Sequence, residues 1–311
     1  MNILLTAIGK RVQLIKYFKE KFNIIGVDAS NQTPGSHFTN KFYTAPPCTH
    51  KQYINVLLEI CLKEKINILI PLLESEFFLL DMNREKFQEI GTFIMLSDID
   101  VLTICNDKWA TYKFFKENSI NTPISHIKII DEKLEFPLII KPRQGMGSKQ
   151  VFKVKDKEEL EFYIKRIEKP LIQEFVQGVE YTIDCFCDEE GCPIAIIPRE
   201  RIEIRAGEVS KSKTIKSWDI IDAAVNVCRK LKAIGPITIQ CIKMHTGEIK
   251  FIEINSRLGG GVPLAFQAGV NYGELMMQLA MKEKIYPMIG EFKEITMLRY
   301  DEAVFYESCN I

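Results

Sequence analysis

FPLIIKPRQGMGSKQVFKV, residues 136–154, reads as an apolar strand, a glycine-bearing turn and a second short strand. Lys141 stands where the first strand ends. Gly145 and Gly147 lack a Cβ, so backbone amides beside them can approach phosphate oxygens closely. A lysine is a point charge suited to the same anion. The stretch also reads, on its glycines alone, as a flexible hairpin turn with a surface lysine. It is not a Walker A loop, because GxxxxGK[ST] is absent.

On the N-terminal side, residues 1–105 alternate apolar runs with amphipathic stretches. NILLTAI, NIIGVDA, INILIPLL and GTFIMLS read as strands, and VQLIKYFKEKF and YINVLLEICLKEK as helices. That alternation predicts a parallel α/β sheet, whose ligand loops lie at the C-terminal ends of its strands. The first such loop holds one glycine, Gly9, and so is no GxGxxG fingerprint. KWATYKFFKEN then predicts a helix with Lys108 in its first turn. A lysine there opposes the helix dipole, which a nearby anion would explain, as would plain solvation.

On the C-terminal side, KEELEFYIKRI predicts a helix and PLIQEF a strand, closing a small antiparallel α+β lobe over residues 106–177. Gly178 permits a sharp turn into a second lobe, residues 178–311. Its long strands are EYTIDCFC, PIAIIPRERIEI, PITIQCIKM, EIKFIEIN and a closing strand within ITMLRYDEAVFY. In FIEINSRLGGG, residues 251–261, period-2 alternation puts Glu253 and Asn255 on one face. Their oxygens suit a hard cation such as Mg2+, and Gln240 on the preceding strand can join them across a hairpin. Arg257 and the glycines that follow suit anionic oxygens. An exposed strand face with a glycine turn accounts for the same letters.

Composition narrows the classes. The 41 Lys plus Arg balance 41 Asp plus Glu, which argues against a broad nucleic-acid surface. No apolar run reaches the roughly 20 residues of a membrane span. The first residues lack a signal-peptide layout. The nine cysteines form no CxxC pair, which predicts reduced thiols and a cytoplasmic setting. The four histidines are far apart, so a histidine-based zinc site is not expected.

The order of these motifs resembles the ATP-grasp superfamily, most closely its carbamoyl-phosphate-synthase-like branch with stand-alone carboxylate–amine ligases. The resemblance covers nearly the whole chain. It implies a parallel α/β domain (1–105), a small ATP-grasp lobe (106–177) and a large ATP-grasp lobe (178–311). It implies that Lys108 and Lys141 bind ATP phosphates and that Gly145, Met146, Gly147 and Ser148 cover them. Glu174, Phe175 and Val176 would meet adenine, and Glu180 the ribose. Gln240, Glu253 and Asn255 would hold two Mg2+ ions, with Mn2+ as a substitute. Arg257 and Lys141 would act catalytically. Gln240 departs from the glutamate of many members and matches this branch.

The substrates implied are a small-molecule carboxylate and an amine. Arg199, Arg201 and Arg205 share one strand face at period 2, and with Arg257 and Gly259 they are the expected substrate contacts. Lys10 and Arg11 at the first helix, Glu74 and Glu76 after the third strand, and Leu264, Phe266 and Gln267 are weaker candidates. Two other readings fit: a carbamoyl-phosphate-synthase-like enzyme or subunit acting through carboxy phosphate, and a nucleotide-binding regulator without turnover. Exposed strands of the N-terminal sheet would support a homodimer.

Overall fold

A computed structural model describes residues 1–129, 134–145, 147, 150–205 and 207–307. The first sheet is parallel and contains β1 (Asn2–Thr6), β2 (Asn23–Asp28), β3 (Lys41–Thr44), β4 (Ile68–Ile70) and β5 (Phe93–Ile94). Its order is β3-β2-β1-β4-β5. β1 is central, and Ile3 pairs with Ile24 on one side and Ile68 on the other. Side chains of a strand alternate between faces. Ile3 and Leu5 accordingly join one apolar cluster with Leu14, Ile15 and Phe18 of helix Val12–Lys19. Leu4 joins a second cluster with Leu57 and Ile60 of helix Tyr53–Glu64. Both faces are covered, as a parallel sheet requires.

Helices Ile99–Asn106 and Lys108–Glu117 lead out of this domain. Asp107 caps the second by accepting from Trp109 N at 2.8 Å. A four-stranded sheet follows: β6 (Ser125–His126), β7 (Leu138–Pro142), β8 (Phe152–Val154) and β9 (Pro170–Glu174), ordered β6-β9-β7-β8. Helix Lys157–Ile164 covers it, capped by Asp156. Leu138, Ile140, Val154, Leu160, Ile167 and Ile172 form its separate apolar cluster.

The third sheet is antiparallel: β10 (Val179–Cys187), β11 (Pro193–Arg205), β12 (Glu208–Thr214), β13 (Gly235–Lys243), β14 (Ile249–Asn255) and β15 (Thr296–Leu298). The order is β14-β13-β10-β11-β12-β15. Helix Trp218–Leu231 packs Ile220, Ile221, Ala224 and Val227 against it. The cluster begun by Ile3 and Leu5 continues through Ile183, Ile196 and Ile237, so the first and third sheets share a core.

The expected architecture of a parallel α/β domain and two further lobes is present. Three strands escaped the sequence: β3, β6 and β12. The closing strand is shorter than expected. Only Thr296–Leu298 pair with β12, and residues 299–307 run on without regular structure. Gly178 is demanded by close approach more than by a turn, since a Cβ there would lie 2.3 Å from the Lys243 carbonyl oxygen.

One buried ion pair spans β10 and β11. Arg199 is 1% exposed and Asp184 1% exposed. Arg199 Nε meets Asp184 Oδ2 at 2.5 Å, and Nη2 meets Oδ1 at 3.0 Å. A Cβ on Gly261 would lie 2.2 Å from Arg199 Nη1, so the glycine turn after β14 lies directly on the guanidinium. Removing one partner strands a buried charge. Asp184→Ala is expected to cost about 3–5 kcal/mol of unfolding free energy, read by urea denaturation. A loss under about 1 kcal/mol would refute this account.

Candidate active site

A cavity of about 1080 Å³ is lined by residues of the two antiparallel sheets and by the loop and helix that follow β1 of the parallel sheet. Its position matches the rule that ligands bind beyond the C-terminal ends of parallel strands, here the segments after β1 (Ala7 to Arg11) and β2 (Pro34 and Phe38).

The small lobe contributes Lys141. At the end of β7 it is 6% exposed, and its Nζ donates to Gln173 Oε1 at 2.8 Å. Gln173 Nε2 donates to Ser125 Oγ at 2.9 Å, which donates to Pro123 O at 3.0 Å. The ammonium is thus oriented by a neutral chain, with no carboxylate in contact among the described residues. Burial brings its pKa down to about 8, against the pull of Glu253 and with the push of Lys108. Lys108 Nζ donates to the Gly145 carbonyl at 3.2 Å and lies 4.0 Å from Glu253 Oε1. Asp107 positions it. Its carboxylate pairs with Arg143, and Lys108 N donates to Arg143 O at 3.0 Å. Burial pushes the Asp107 carboxyl up, but Arg143 and the Trp109 N–H hold it below its ordinary range.

Gly145 and Gly147 line the cavity with positive φ of 137° and 68°. Met146 and Ser148 lie outside the described residues. Gly207, at φ 79° in the turn between β11 and β12, lies against this loop, since a Cβ there would sit 2.4 Å from the Gly147 carbonyl oxygen. Small and large lobes therefore touch above the cavity.

At the hinge, Glu174, Phe175, Val176 and Glu180 all line the cavity. Glu174 accepts from Lys250 Nζ at 2.8 Å and from Ile124 N at 3.1 Å. Lys153 Nζ sits 3.6 Å above the Phe175 ring centre. Burial pushes the Glu180 carboxyl up, Arg201 opposes this, and Glu253 adds to it. The large lobe places Gln240 directly opposite Glu253 in the β13–β14 register, and Asn255 follows two residues on. All three line the cavity, giving one carboxylate and two amides. These oxygen donors fit a hard divalent cation. The buried, carboxylate-free Lys141 fits an anion beside it.

The arginine face is only partly as expected. Arg199 and Arg201 line the cavity, but each is engaged: Arg199 by Asp184, and Arg201 by Glu180 (Nε to Oε1, 3.1 Å) and Thr182 Oγ1 (3.2 Å). Arg205 is a correction. The β11–β12 register slips between Arg201 and Glu203 and again before Ile204, which ends the period-2 alternation. Arg205 is left outside the cavity with its side chain 75% exposed, paired to Asp301 at 2.9 Å. Arg257 lines the cavity and pairs with Glu74 at 2.7 Å. Gly259 lines it too.

Among the weaker candidates, Lys10 and Arg11 line the cavity. Glu76 is fully buried under Thr6, Tyr53 and the Leu73 N–H, and serves the N-terminal domain rather than the cavity. Leu264 is core, and Gln267 accepts from Tyr17 OH at 2.9 Å. Phe266 stacks on Tyr17. Sequence reasoning missed Gln173 and Ser125, which orient Lys141, and Glu208 and Arg299 at the cavity wall. The alternation of PLIQEF put Gln173 on the Lys141 side of the sheet only once strand order was known.

A family model described as "ATP-grasp domain" matches residues 105–261, and one described as "PylC-like, N-terminal domain" matches residues 3–95. The carbamoyl phosphate synthase large chain of Archaeoglobus fulgidus is 27% identical over 245 residues, 71% of this chain and 23% of its own. This chain spans about a fifth of the length of such relatives. Among solved structures, the biotin carboxylase domain of Hydrogenobacter thermophilus 2-oxoglutarate carboxylase, a dimer with MgADP and bicarbonate, superposes with a TM-score of 0.73. It is 14% identical and covers 94% of this chain and 72% of that one. An L-amino acid ligase from Bacillus licheniformis gives 0.70 at 18% identity, covering 91% and 75%. At such identities the likeness is one of fold.

The Lys141 pKa fixes a pH signature. In the unfolded chain the ammonium holds its proton up to its ordinary 10.5, but in the folded protein only to about 8. Below pH 8 the native state carries the whole cost, about 3 kcal/mol. That cost disappears as pH rises from 8 to 10.5. Lys141→Met should therefore raise the stability of the ligand-free protein at pH 7 by an amount of that order, and the gain should shrink by pH 10. Urea unfolding of both proteins across that range reads the difference. A variant that is less stable at pH 7 would refute it.

Proposed function

We propose, from the premise that the chain belongs to the ATP-grasp family, that it is an ADP-forming ligase joining a carboxylate to an amine. The observation that carries the reading is the gathering of two sets of groups in one cavity: the lysines Lys108 and Lys141, and the oxygen donors Gln240, Glu253 and Asn255, with Lys108 4.0 Å from Glu253. The first set suits the phosphates of ATP. The second would hold magnesium, read as two ions with manganese as a substitute. Metal there would neutralise charge on the terminal phosphates.

The chain's own residues then orient and screen. The hinge residues Glu174 to Val176 offer a wall for adenine, and Glu180 a carboxylate for ribose hydroxyls. A substrate carboxylate oxygen attacks the γ-phosphorus, the bond to the β-phosphate oxygen breaks, and ADP leaves with an acyl phosphate remaining. An amine attacks the acyl carbon, phosphate departs, and the amine proton passes to solvent. Such transfer needs positioning and charge neutralisation rather than a protein nucleophile. Arg257, paired with Glu74, would stabilise charge on the transferred group.

Gln240 favours a second reading, in which bicarbonate is the carboxylate and carboxy phosphate the intermediate. Among the described residues no helix is long and apolar enough to cross a membrane. A cytoplasmic site of action and a homodimer through the edges of the parallel sheet belong to the proposal.

The test is phosphate release by purified protein with Mg-ATP, screened against pools of carboxylates and amines. Release that requires both supports the ligase. Release with bicarbonate and ammonia alone favours the second reading. ATP binding with no turnover in any pool would leave a nucleotide-binding regulator. Glu253→Ala is expected to cut turnover by about 100-fold or more, and unchanged Mg-ATP turnover in that variant would sink the metal assignment.

A further inference from the structure

The cavity holds two electrostatic neighbourhoods. The charges that act on Lys141 are Glu253, Lys108 and Glu180. Those that act on Arg11 are Arg257 from the turn after β14, Glu74 from the loop after β4, and Glu208 and Arg299 from β12 and the end of β15. The second neighbourhood holds three guanidiniums against two carboxylates. Arg257 is paired with Glu74, and Arg299 Nη1 with Glu208 at 3.2 Å. Arg299 Nη2 also donates to the Gly260 carbonyl. Arg11 has only the Leu72 carbonyl, at 3.1 Å, and no ion pair among the described residues. Burial brings its pKa down to about 10, and Arg257 adds to the fall. Arg257 Nε is a further buried donor without a hydrogen-bond partner among the described residues. A built wall with one excess positive charge is a wall for an anion.

The chain beyond β15 roofs this end. Residues 300–304 line the cavity, and Tyr306 stacks on His37 of the N-terminal domain at 5.1 Å. The tail thus runs from the large sheet to the N-terminal domain across the mouth.

Resting on the ligase reading, we propose that Arg11 and Arg299, beneath the C-terminal tail, form an anion subsite, distinct from the nucleotide-phosphate residues, that takes a carboxylate or phosphate group carried by the acceptor substrate. Arg11 at the β1 loop supplies the unpaired charge, and Arg299 supplies a second guanidinium already held in place by Glu208 and Gly260. Arg11 lies at the topological switch point of the parallel sheet, bonded from the loop after β1 to Leu72 in the loop after β4, where α/β sheets bind ligands.

The experiment uses the full chain with Mg-AMPPNP bound and three probes: inorganic phosphate, succinate and uncharged succinamide. Thermal unfolding midpoints and Mg-AMPPNP affinity are measured for wild type, Arg11→Gln and Arg299→Gln. One anion is expected to raise the wild-type midpoint while succinamide does not, and which anion acts separates a phosphate ligand from a carboxylate. Both variants should bind that anion roughly tenfold or more weakly, with Mg-AMPPNP affinity unchanged, which also reports that they are folded. The subsite is overturned if neither anion acts on wild type, if the shift survives in both variants, or if Arg11→Gln weakens Mg-AMPPNP instead. If wild type binds an anion but not Mg-AMPPNP, the ligase reading fails while the subsite stands.

Discussion

The ion pair of Asp184 and Arg199 is the constraint on which the large lobe is arranged. It is buried on both sides, so both charges must stay paired or the sheet opens. Holding them together fixes β10 against β11 and so sets Glu180 beside Arg201. The turn carrying Gly259 and Gly261 lies on the same pair, because any side chain at Gly261 would strike the guanidinium. That turn follows Asn255 and Arg257. Hinge carboxylate, metal-type oxygens and cavity arginine thus take their positions from one buried interaction at the cavity wall.

The small lobe uses the opposite device. Its key charge, Lys141, is buried with no contacting carboxylate among the described residues, and Gln173 holds it. A neutral amide orients the ammonium but does not neutralise it. The lobe therefore keeps an attraction for anions that a carboxylate in place of Gln173 would quench. The large lobe pairs its buried Arg199 with Asp184, and the small lobe leaves Lys141 without a contacting carboxylate among the described residues at the point where phosphate is expected.

Much of this was legible in the sequence. Period-2 and helical patterns located the apolar strands and principal helices, because burial on a sheet or helix face leaves a periodic trace. Glu253 and Asn255 were placed on a common face by spacing alone. What escaped had no local trace. β6 is two residues long, and β12, EVSKSKT, is polar because it lies near the sheet edge. Arg205 was misplaced because two register slips in β11 are set by its partner strand, not by its own letters. Gln173 and Ser125 meet Lys141 only through strand order. The pairing of Arg299 with Glu208 likewise depends on β15 reaching back to β12.

The separate apolar cluster of the small lobe has a mechanical consequence. Its six buried residues are shared with neither of the other clusters, whereas the N-terminal domain and large lobe are welded through one. Swinging the four-stranded sheet outward from helix Lys108–Glu117, whose Phe114 and Phe115 belong to the shared cluster, would break polar contacts, such as that between Lys108 and the Gly145 carbonyl, but would leave the sheet's own cluster closed. The molecule is in effect a two-part clamp with one fixed jaw of two domains and one light jaw on a polar latch. Its opening stiffness is set by a few hydrogen bonds and ion pairs, which makes it sensitive to salt and to the charge of whatever lies between the jaws.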